Sequence, residues 1–451
     1  MGRMCWKKTC VGVNCAALLS RSNTQSTRAR LSVHLVAREE SPGPQRAVLV
    51  EPESNPEVED TRSPLQRFRT KPKKPLSVTD LVSPAWCELQ YWYNLSKFGR
   101  KKATPAMKQG SAVHKVLEEQ VHEIVQVRPK TKEDVWGLKI WNVIQGLRTL
   151  RLTGMTRELE IWGVIDGQIV NGIIDEISYS CPDPDFEEKL EKSKAEAENG
   201  AKAALPSNQT SIADFLHNTN SPSQESGPWL GNPFPERKVY VTDVKTRGSK
   251  YMPKGVSLRP TFYQLMLYRM LLDALAANTV PADVIFSRYS LTPLKPFTPA
   301  FIEEIEDLDS WKENIPSTDD LSDVSREFYH ELKTYNNLTA LWSLMMTEFS
   351  LAMSGSASIS DVLHAEFRWS KTGDIIGSEL FAYDTAVLQK YVGEEMKWWK
   401  GEREAKGVDI EEAFKCRICE FADECTWRKT KIEEAMEKHR LRLAARAKSA
   451  V

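Results

Sequence analysis

The amino-acid sequence predicts an α/β fold, because strand-like and helix-like hydrophobic patterns alternate along its central part. Between positions 156 and 179, apolar residues form short alternating runs on either side of Asp166-Gly167, a dipeptide typical of tight hairpin turns. This pattern indicates a β-meander. Further along, a strand is predicted at 238–245, a helix at 259–277 and a second apolar strand at 284–291. A meander, a helix and a returning strand together make an α/β core.

Further elements are predicted around this core. Residues 106–127 place Val113, Leu117, Val121 and Ile124 at spacings of three and four, which indicates one amphipathic helix. The remaining predicted elements are a hairpin at 366–382, turning at Thr372-Gly373-Asp374, and a helix at 385–400. No repeat of roughly 20 to 50 residues is visible, which argues against solenoids and propellers.

Composition divides the 451 residues into a folded domain with flanking and inserted segments. The hydrophobic fraction of 41% is enough for a core. Pro, Glu, Ser and Arg dominate residues 39–75, and large apolar side chains are too few there to offset the entropy of ordering. We therefore expect a disordered basic leader at 1–75, a folded domain at 76–430 with a flexible Pro-, Ser- and Asn-rich insertion at 181–236, and a basic C-terminal helix or tail at 431–451.

The first 38 residues have a composition typical of a mitochondrial transit peptide. They contain no Asp or Glu, and their cations stand among Ser and Thr: Arg3, Lys7, Lys8, Arg21, Arg28, Arg30 and Arg38. A generic basic tail is the alternative interpretation. The second basic run, residues 67–74, could be a nuclear address or a solvated linker. We expect a mitochondrial protein, with the nucleus, or both compartments, as the alternative.

Charge and hydropathy exclude few classes of partner. No stretch approaches the roughly 20 apolar residues that a membrane-spanning helix needs, so no membrane partner is expected. The net charge of -1 conceals basic segments at 1–38 and 429–451, and therefore does not argue against nucleic acid. Eight cysteines are too few for a disulfide-rich scaffold of this length, which favours a reducing compartment.

Two carboxylates and a lysine are candidates for a metal-dependent catalytic site. Asp243 and Lys245 are two apart in a predicted strand and project to the same face. Asp175 ends the preceding strand, and neighbouring strands lie about 4.8 Å apart. Two carboxylates at that separation can hold Mg²⁺, which prefers hard oxygen ligands, while Lys245 orients a water or neutralises charge in the transition state. Taken alone, however, Asp-x-Lys on a strand is usually an exposed ion pair.

Polar side chains on two predicted helices extend this set. His114 and Glu118 are four apart and share a helix face, as do Gln264 and Tyr268. A lone helical histidine is more often a packed or hydrogen-bonded residue than a ligand. An amide and a phenol on one face are also typical of a partly buried polar edge.

The order of these motifs resembles the PD-(D/E)xK nuclease superfamily in its RecB-like branch. The motifs are Gly110-x-x-x-His114 on a helix, Gly172-x-x-Asp175 on a strand, Asp243-x-Lys245 on the next strand and Gln264-x-x-x-Tyr268 on the following helix. More specifically, residues 76–429 resemble the exonuclease V family of iron-sulfur single-strand DNA exonucleases. The most specific stretch runs from Trp398 to Ala405. The resemblance implies a mixed central sheet flanked by helices.

The resemblance also implies roles for individual residues. It makes Asp175 and Asp243 the metal-binding acids and Lys245 the catalytic lysine. His114 would assist metal binding. Gln264 and Tyr268 would support the site and contact DNA. Glu118 joins the set by helix geometry more than by motif. The implied activity is Mg²⁺- or Mn²⁺-dependent digestion of single-stranded DNA, 5′ to 3′, into short oligonucleotides, in DNA repair or mitochondrial genome maintenance. We expect a monomer, with a single-strand DNA-binding protein as a candidate partner.

Four cysteines are candidates for one metal centre. Cys416-x-x-Cys419 with Cys425 is compact enough to hold a metal, and a fourth thiolate must come from elsewhere. Cys87 is the best candidate, because Cys181 lies in the expected insertion and the remaining cysteines, Cys5, Cys10 and Cys15, lie in the expected leader. Thiolates suit both zinc and iron-sulfur clusters. The resemblance implies a 4Fe-4S cluster that joins the two ends of the nuclease domain.

A basic segment follows the catalytic strand. Arg247, Lys250, Lys254 and Arg259, with Tyr251 among them, could line a groove for a single strand. An ordinary solvated loop explains them equally well. The paired Trp398 and Trp399 are better explained as core residues than as stacking platforms. The competing function from another class is a non-catalytic DNA-binding scaffold, stapled by an iron-sulfur cluster or by zinc.

Overall fold

A computed structural model describes residues 32–37, 60–99, 105–203, 237–310, 331–353 and 355–449. The strands in these ranges are β1 (Ser32–Ala37), β2 (Leu76–Ser77), β3 (His122–Val127), β4 (Met155–Ile165), β5 (Gln168–Ser178), β6 (Val239–Arg247), β7 (Ile359–Trp369) and β8 (Ile375–Ala382). The α-helices are α1 (Pro64–Phe68), α2 (Val78–Val82), α3 (Glu88–Phe98), α4 (Pro105–Glu118), α5 (Lys132–Thr153), α6 (Pro184–Ala203), α7 (Arg259–Ala276), α8 (Ala282–Arg288), α9 (Pro299–Ser310), α10 (Leu338–Ala352), α11 (Thr385–Lys400) and α12 (Thr426–Ser449). Short 3₁₀-helices lie at Ser83–Ala85, Gly255–Leu258, Ser356–Ser358 and Ile410–Ile418.

The central sheet has the order β2-β5-β6-β7-β8, and β4 pairs with β5. The pairs β4–β5, β5–β6 and β7–β8 are antiparallel, whereas β6 and β7 run parallel. A parallel pair needs a long crossover, and α7 lies within the one that joins β6 to β7. The predicted α/β fold is therefore confirmed as a mixed sheet flanked by helices.

The predicted hairpin is confirmed in the β4–β5 pair. Ile165 and Gln168 face each other across a two-residue loop, in which Asp166 and Gly167 have φ of 49° and 73°. Positive φ at both positions is the geometry that an Asp-Gly turn supplies. The loop therefore fixes the register along the whole of both strands.

The helix α7 packs across the sheet and confirms the prediction at 259–277. It begins with Pro260 in its first turn, and Leu265, Leu271 and Leu275 are buried. Gly163 of β4 lets it approach closely, because a Cβ there would lie 2.5 Å from Leu271 Cδ2. The predicted strand 238–245, the hairpin at 366–382 and the helix at 385–400 also match β6, β7–β8 and α11.

The helix predicted over 106–127 ends earlier than expected, so that prediction is wrong in its second half. The helix α4 stops at Glu118, and His122–Val127 forms β3, which pairs in parallel with all six positions of β1. Val127 is fully buried. The apolar spacing of three and four continued by chance into a segment whose pairing partner is 90 residues away along the chain.

The strand predicted at 284–291 is wrong, because Ala282–Arg288 is the helix α8. A short apolar run cannot distinguish a strand from a buried helical turn. Pro281 stands at the N-cap, and only two of the seven helical residues, Ile285 and Phe286, are buried.

Parts of the expected leader belong to the fold, which corrects the prediction of disorder for them. Leu35 of β1 is 3% exposed and Phe68 of α1 is 8% exposed. A capping box between Ser63 and Gln66 begins α1. The other residues of 1–59, including Cys5, Cys10, Cys15 and most of the predicted transit peptide, lie outside the described residues.

The expected flexible insertion begins with a helix, α6, and residues 204–236 lie outside the described part of the chain. Glu187 anchors this helix to the sheet by accepting hydrogen bonds from Tyr240 Oη at 2.8 Å and Ser360 Oγ at 3.0 Å. Near the C-terminus, α12 confirms a helix over the described part of 431–451. Among the described helices, none has the length and apolar character needed to cross a membrane.

Candidate active site and thiol cluster

The strands β5 and β6 bring the two predicted acids together. Glu176 pairs with Thr242 in an antiparallel ladder, so Asp175 and Asp243 stand opposite each other one position further on. The backbone N–H of Val244 donates to Asp175 Oδ2 at 2.7 Å. The expected adjacency of these two strands is therefore observed, in spite of the long segment between them.

Asp243 is the centre of a hydrogen-bonded network. Its side chain is fully buried, and Lys245 Nζ donates to its Oδ1 at 2.8 Å. Gln264 binds both, because Nε2 donates to Asp243 Oδ1 at 3.0 Å and Oε1 accepts from Lys245 Nζ at 3.0 Å. The same amide nitrogen donates to Tyr268 Oη at 2.8 Å. These four residues, predicted from two separate motifs, form one contiguous unit.

A second group lies beside this network. His114 Nδ1 is 3.4 Å from Glu158 Oε1 and 3.6 Å from Asp175 Oδ1, and the ligand atoms of the three residues lie within 4.8 Å of one another. Glu158 has a φ of 52°, which is uncommon for a residue other than glycine. An imidazole and two carboxylates at these distances are suited to a divalent cation.

Sequence reasoning missed Glu158, although a signal for it exists. Arg157 pairs with Glu176 and Leu159 with Ile174, which sets Glu158 opposite Asp175. The two-residue loop at Asp166-Gly167 determines that register. An acid opposite a predicted metal ligand could therefore have been found by counting back from the turn.

Several carboxylates lie close together in this site and shift the pKa values of its ionisable groups. Burial, reinforced by the negative charge of Asp243, raises the pKa of Asp175 to about 7. Although burial acts against the charged forms, neighbouring carboxylates raise the pKa of both His114 and Lys245 above their ordinary values. The negative charge of the neighbouring carboxylates favours a cation at this site and disfavours a further carboxylate charge.

The donor set fits a divalent cation. Asp243 Oδ2 is buried and makes no hydrogen bond within the described residues, although Lys245 Nζ lies 2.8 Å away. The ammonium of Lys245 is therefore the charged partner of this oxygen. Asp175, Glu158 and His114 supply the mainly oxygen donor set that suits Mg²⁺ and Mn²⁺, and Asp243, on the adjacent strand, lies outside this group of three.

His114, Glu158, Asp175 and Lys245 line an open cleft between α4 and the edge formed by β1 and β3. Gly110 sets the distance between α4 and β6, because a Cβ at this position would lie 2.6 Å from Thr246 Oγ1. Glu118 also lines the cleft, but its Oε1 pairs with His34 Nδ1 at 2.8 Å. Glu118 therefore forms part of the cleft wall. It does not belong to the set of His114, Glu158 and Asp175, which we call the metal-competent group.

The four predicted cysteines line one pocket, together with Tyr93, Phe421 and Trp427. Burial, followed by the charges of the other three thiolates, raises the pKa of Cys87 to about 11. All four are free thiols. Within the described residues, no three of the cysteine sulfurs all lie within 4.8 Å of one another, unlike the ligand atoms of His114, Glu158 and Asp175. Cys181 lies elsewhere and donates to Glu187.

Protein contacts around the thiols also join the two ends of the domain. Arg403 donates to both carboxylate oxygens of Glu88, at 2.7 and 2.8 Å, and the N–H of Lys406 donates to the same carboxylate at 2.6 Å. Lys415 Nζ donates to the carbonyl of Trp86 at 2.8 Å. Hydrogen bonds therefore join both neighbours of Cys87, Trp86 and Glu88, to the segment 403–415 that precedes Cys416.

The predicted DNA contacts differ in their availability. Arg259 forms an ion pair with Glu412 and is already engaged. Tyr251 is 83% exposed, and Lys250 Nζ lies 3.9 Å from the ring centroid of Trp369. Arg247 Nε is buried without a hydrogen-bond partner in the described ranges. Trp398 and Trp399 are core residues, at 1% and 0% exposure, as expected.

Comparison with known proteins agrees with the resemblance seen in the motifs. A family model described as exonuclease V, a 5′ deoxyribonuclease, matches residues 63–428. Exonuclease V of Danio rerio is 25% identical over 83% of this chain and 75% of the relative. A protein named exonuclease V, mitochondrial, from Candida albicans strain WO-1 is 22% identical over 80% of this chain and 75% of the relative. The one from Eremothecium gossypii is 22% identical over 79% and 77%. Because the family model spans most of the chain, this protein belongs to the exonuclease V family.

Proposed function

We propose that this protein is a Mg²⁺-dependent exonuclease of the PD-(D/E)xK class that digests single-stranded DNA from the 5′ end into short oligonucleotides. The observation that carries the proposal is that Asp175, His114, Glu158 and Lys245 line one open cleft, with Asp243 buried next to them and bound to Lys245. The family description as a 5′ deoxyribonuclease supports both the substrate and the polarity.

Asp175, His114 and Glu158 would hold the cation, and Asp243 on the adjacent strand is the further acid that the family resemblance implies. A bound Mg²⁺, or Mn²⁺ in its place, supplies charge stabilisation at a phosphodiester oxygen under attack. The backbone N–H of Val244 holds Asp175 Oδ2 in place and leaves Oδ1 facing His114. The carboxylates are therefore oriented by the strands before any ligand binds.

Lys245 is the positive group that this chain itself contributes. Its ammonium is fixed by two acceptors, Asp243 Oδ1 and Gln264 Oε1, and its raised pKa keeps it charged. An ammonium fixed in this way can orient a water or neutralise charge that develops on the phosphate without reorganising. Tyr268 holds the Gln264 amide, and through it the position of Lys245.

The four cysteines are proposed to carry a 4Fe-4S cluster with a structural role. Four thiolates suit either centre, and the resemblance to the iron-sulfur exonucleases supports the cluster over zinc. Iron and sulfide analysis of the purified protein, with visible absorption, distinguishes the two, because a zinc protein is colourless.

A surface beyond the end of β6 is proposed to contact the single strand. Lys250 Nζ lies over the ring of Trp369, Tyr251 is 83% exposed, and Arg247 ends β6 beside them. Cations together with exposed aromatic faces bind single strands through phosphates and base stacking. Arg259 leaves this set because of its pairing with Glu412.

We propose a role in DNA repair and mitochondrial genome maintenance, with the nucleus as the alternative location. Several fungal relatives are named mitochondrial, whereas the name of the Danio rerio protein carries no location. A monomer acting with a single-strand DNA-binding protein is the expected form.

Digestion of end-labelled single-stranded DNA with Mg²⁺ tests the function. Wild-type protein should release short fragments, whereas Asp243→Ala should bind the strand without cutting it. Lys250→Ala is a matched variant that leaves the acids intact, and it should weaken binding while it preserves Mg²⁺-dependent cleavage. Binding without cleavage by the wild type would instead indicate a non-catalytic scaffold.

A further inference from the structure

We propose that β1 is a lasting part of the folded protein and forms one wall of the active-site cleft. Within it, His34 is a positioning residue whose contacts hold in place both the helix that carries His114 and the strand that carries Glu158. We call these contacts the brace. The proposal rests on the proposed nuclease function and concerns residues that composition assigned to a removable leader. It implies that any proteolytic processing of this protein stops before Ser32.

The first support is the way in which β1 is built into the fold. It pairs with β3 at six consecutive positions, and Leu35 is 3% exposed. Asn142 of α5 binds the same residue twice, because Oδ1 accepts from the N–H of Leu35 at 2.9 Å and Nδ2 donates to its carbonyl at 2.8 Å. The Asn142 amide therefore satisfies both the N–H and the carbonyl of Leu35. At this position β1 needs no further strand to satisfy its backbone hydrogen bonds.

The second support is the pairing of His34 with α4. His34 Nδ1 lies 2.8 Å from Glu118 Oε1, with both side chains largely buried, at 20% and 15% exposure. Glu118 is the last residue of α4 and lies one turn beyond His114. Within α4 only Gly110 and Leu117 are buried, so the helix has little core packing to hold it. The pair with His34 therefore fastens the end of the helix that is nearest the metal-competent group.

The third support is a path from His34 to Glu158. The ring of His34 meets that of His122 edge to face, with centroids 5.7 Å apart. His122 Nε2 in turn lies 3.2 Å from Thr156 Oγ1 and 3.3 Å from the carbonyl of Arg157. These two residues precede Glu158, whose left-handed backbone needs support from its surroundings.

The fourth support is the cleft itself. Val36, the next outward-facing residue of β1 after His34, is 41% exposed and lines the cleft together with Ile124 and Gln126 of β3. Without β1, Ile124 and the edge of β3 would stand open to solvent. The two-stranded sheet thus forms the side of the cleft that faces α4.

Full-length single-residue variants test the brace. His34→Ala should lower kcat by about ten- to a hundredfold with little change in KM, because a ligand displaced by about 1 Å costs rate more than binding. His34→Gln keeps a side-chain donor and should recover part of the loss. Glu118→Ala removes only the contact with α4, so it should lower kcat less than His34→Ala, and the double variant should be no worse than His34→Ala. Glu119→Ala is the control, since this neighbouring glutamate has only an exposed partner, Lys115, at 3.9 Å.

Amide hydrogen exchange without Mg²⁺ or DNA gives a readout independent of activity. His34→Ala should speed exchange in 105–118 and around Glu158, and Glu119→Ala should not. If wild-type protein fails to cut DNA while this exchange difference is present, the function is wrong and the brace holds. Unchanged exchange and kcat in His34→Ala would overturn the brace. The N-terminus of the protein isolated from cells, read by mass spectrometry, should fall at or before Ser32, and one after Ala37 would contradict the proposal.

Discussion

Glu158 illustrates how a single residue is brought into a site by the register of its strand. Neither its own neighbours in the sequence nor any short motif marks it, yet the turn at Asp166-Gly167 sets it opposite Asp175. The residues that motifs did identify, such as Asp243 and Gln264, are identifiable because two functional groups lie within four positions of each other. A residue whose partner is far along the chain requires the fold.

Glu158→Gln tests this residue directly. The amide keeps the size of the side chain and removes one anionic ligand, so the Mg²⁺ concentration needed for half-maximal cleavage should rise by at least about tenfold. Calorimetric Mg²⁺ titration in the absence of DNA should show the same shift. Glu123→Gln, on the exposed side of β3, is the control. A normal Mg²⁺ requirement in Glu158→Gln would remove Glu158 from the site.

Glu395 is a buried acid without a catalytic role. Burial, followed by the charge of Glu88, raises the pKa of its carboxyl to about 8, from an ordinary value of 4.5. Its Oε2 has no hydrogen-bond partner in the described residues. The folded state therefore binds a proton that the unfolded state releases, so the free energy of unfolding falls as pH rises from about 4.5 to about 8.

Glu395→Gln should remove this dependence. The variant should be more stable than wild type above pH 8, by about 1–3 kcal/mol, the scale of a buried group without a partner. Its advantage should shrink towards pH 5. Thermal unfolding at pH 5.5 and 8.5 checks the sign, and a variant that is less stable at both values would show that the carboxyl has a partner.

At the scale of elements, patterns with their own turn or cap predicted structure well, whereas the short run at 284–291 and the second half of the periodic stretch at 106–127 did not. The β4–β5 hairpin, β6, α7, β7–β8 and α11 were all predictable, because each has a period, a turn or a cap of its own. In contrast, β3 was assigned to a helix, and β1 to a leader, since each is stabilised by pairing with the other. Their stability lies in contacts that span about 90 residues.

Gly407→Ala tests the packing between the segment that follows α11 and the start of α12. A Cβ at this glycine would lie 2.2 Å from the Trp427 ring, two residues beyond Cys425. Overpacking of this kind costs about 1–3 kcal/mol, so the midpoint of thermal unfolding should fall. Gly393→Ala, inside α11 with no atom within 4 Å, should be neutral or stabilising. Equal effects from the two would show that the Trp427 contact does not constrain the thiol segment.

For the whole molecule, the two ends of the domain meet at the thiols. Cys87 begins α3, and the other three cysteines follow the last helix of the core. Their convergence was predictable from spacing and resemblance, because Cys87 was the best candidate among the other cysteines. The ion pair between Glu88 and Arg403 was not predictable, since nothing in either segment marks the other.

Cys87→Ser tests the proposed cluster, and it should lose that cluster and loosen the contact between the two ends of the domain. Because metal-centre binding free energy contributes to folding, the midpoint of thermal unfolding should fall by more than about 5 °C. Iron content and visible absorption should fall with it. Cys181→Ser, outside the pocket, is the control and should keep both. Retention of iron in Cys87→Ser would assign the fourth ligand elsewhere.

The most direct test of the central claim is digestion of single-stranded DNA that is labelled at one end and blocked at either the 5′ or the 3′ end, with wild type and Asp243→Ala side by side. We predict Mg²⁺-dependent release of short fragments by the wild type, abolished by the 5′ block and by Asp243→Ala, and unaffected by the 3′ block. Equal products from both proteins, or no cleavage by the wild type at any Mg²⁺ or Mn²⁺ concentration, would contradict the account.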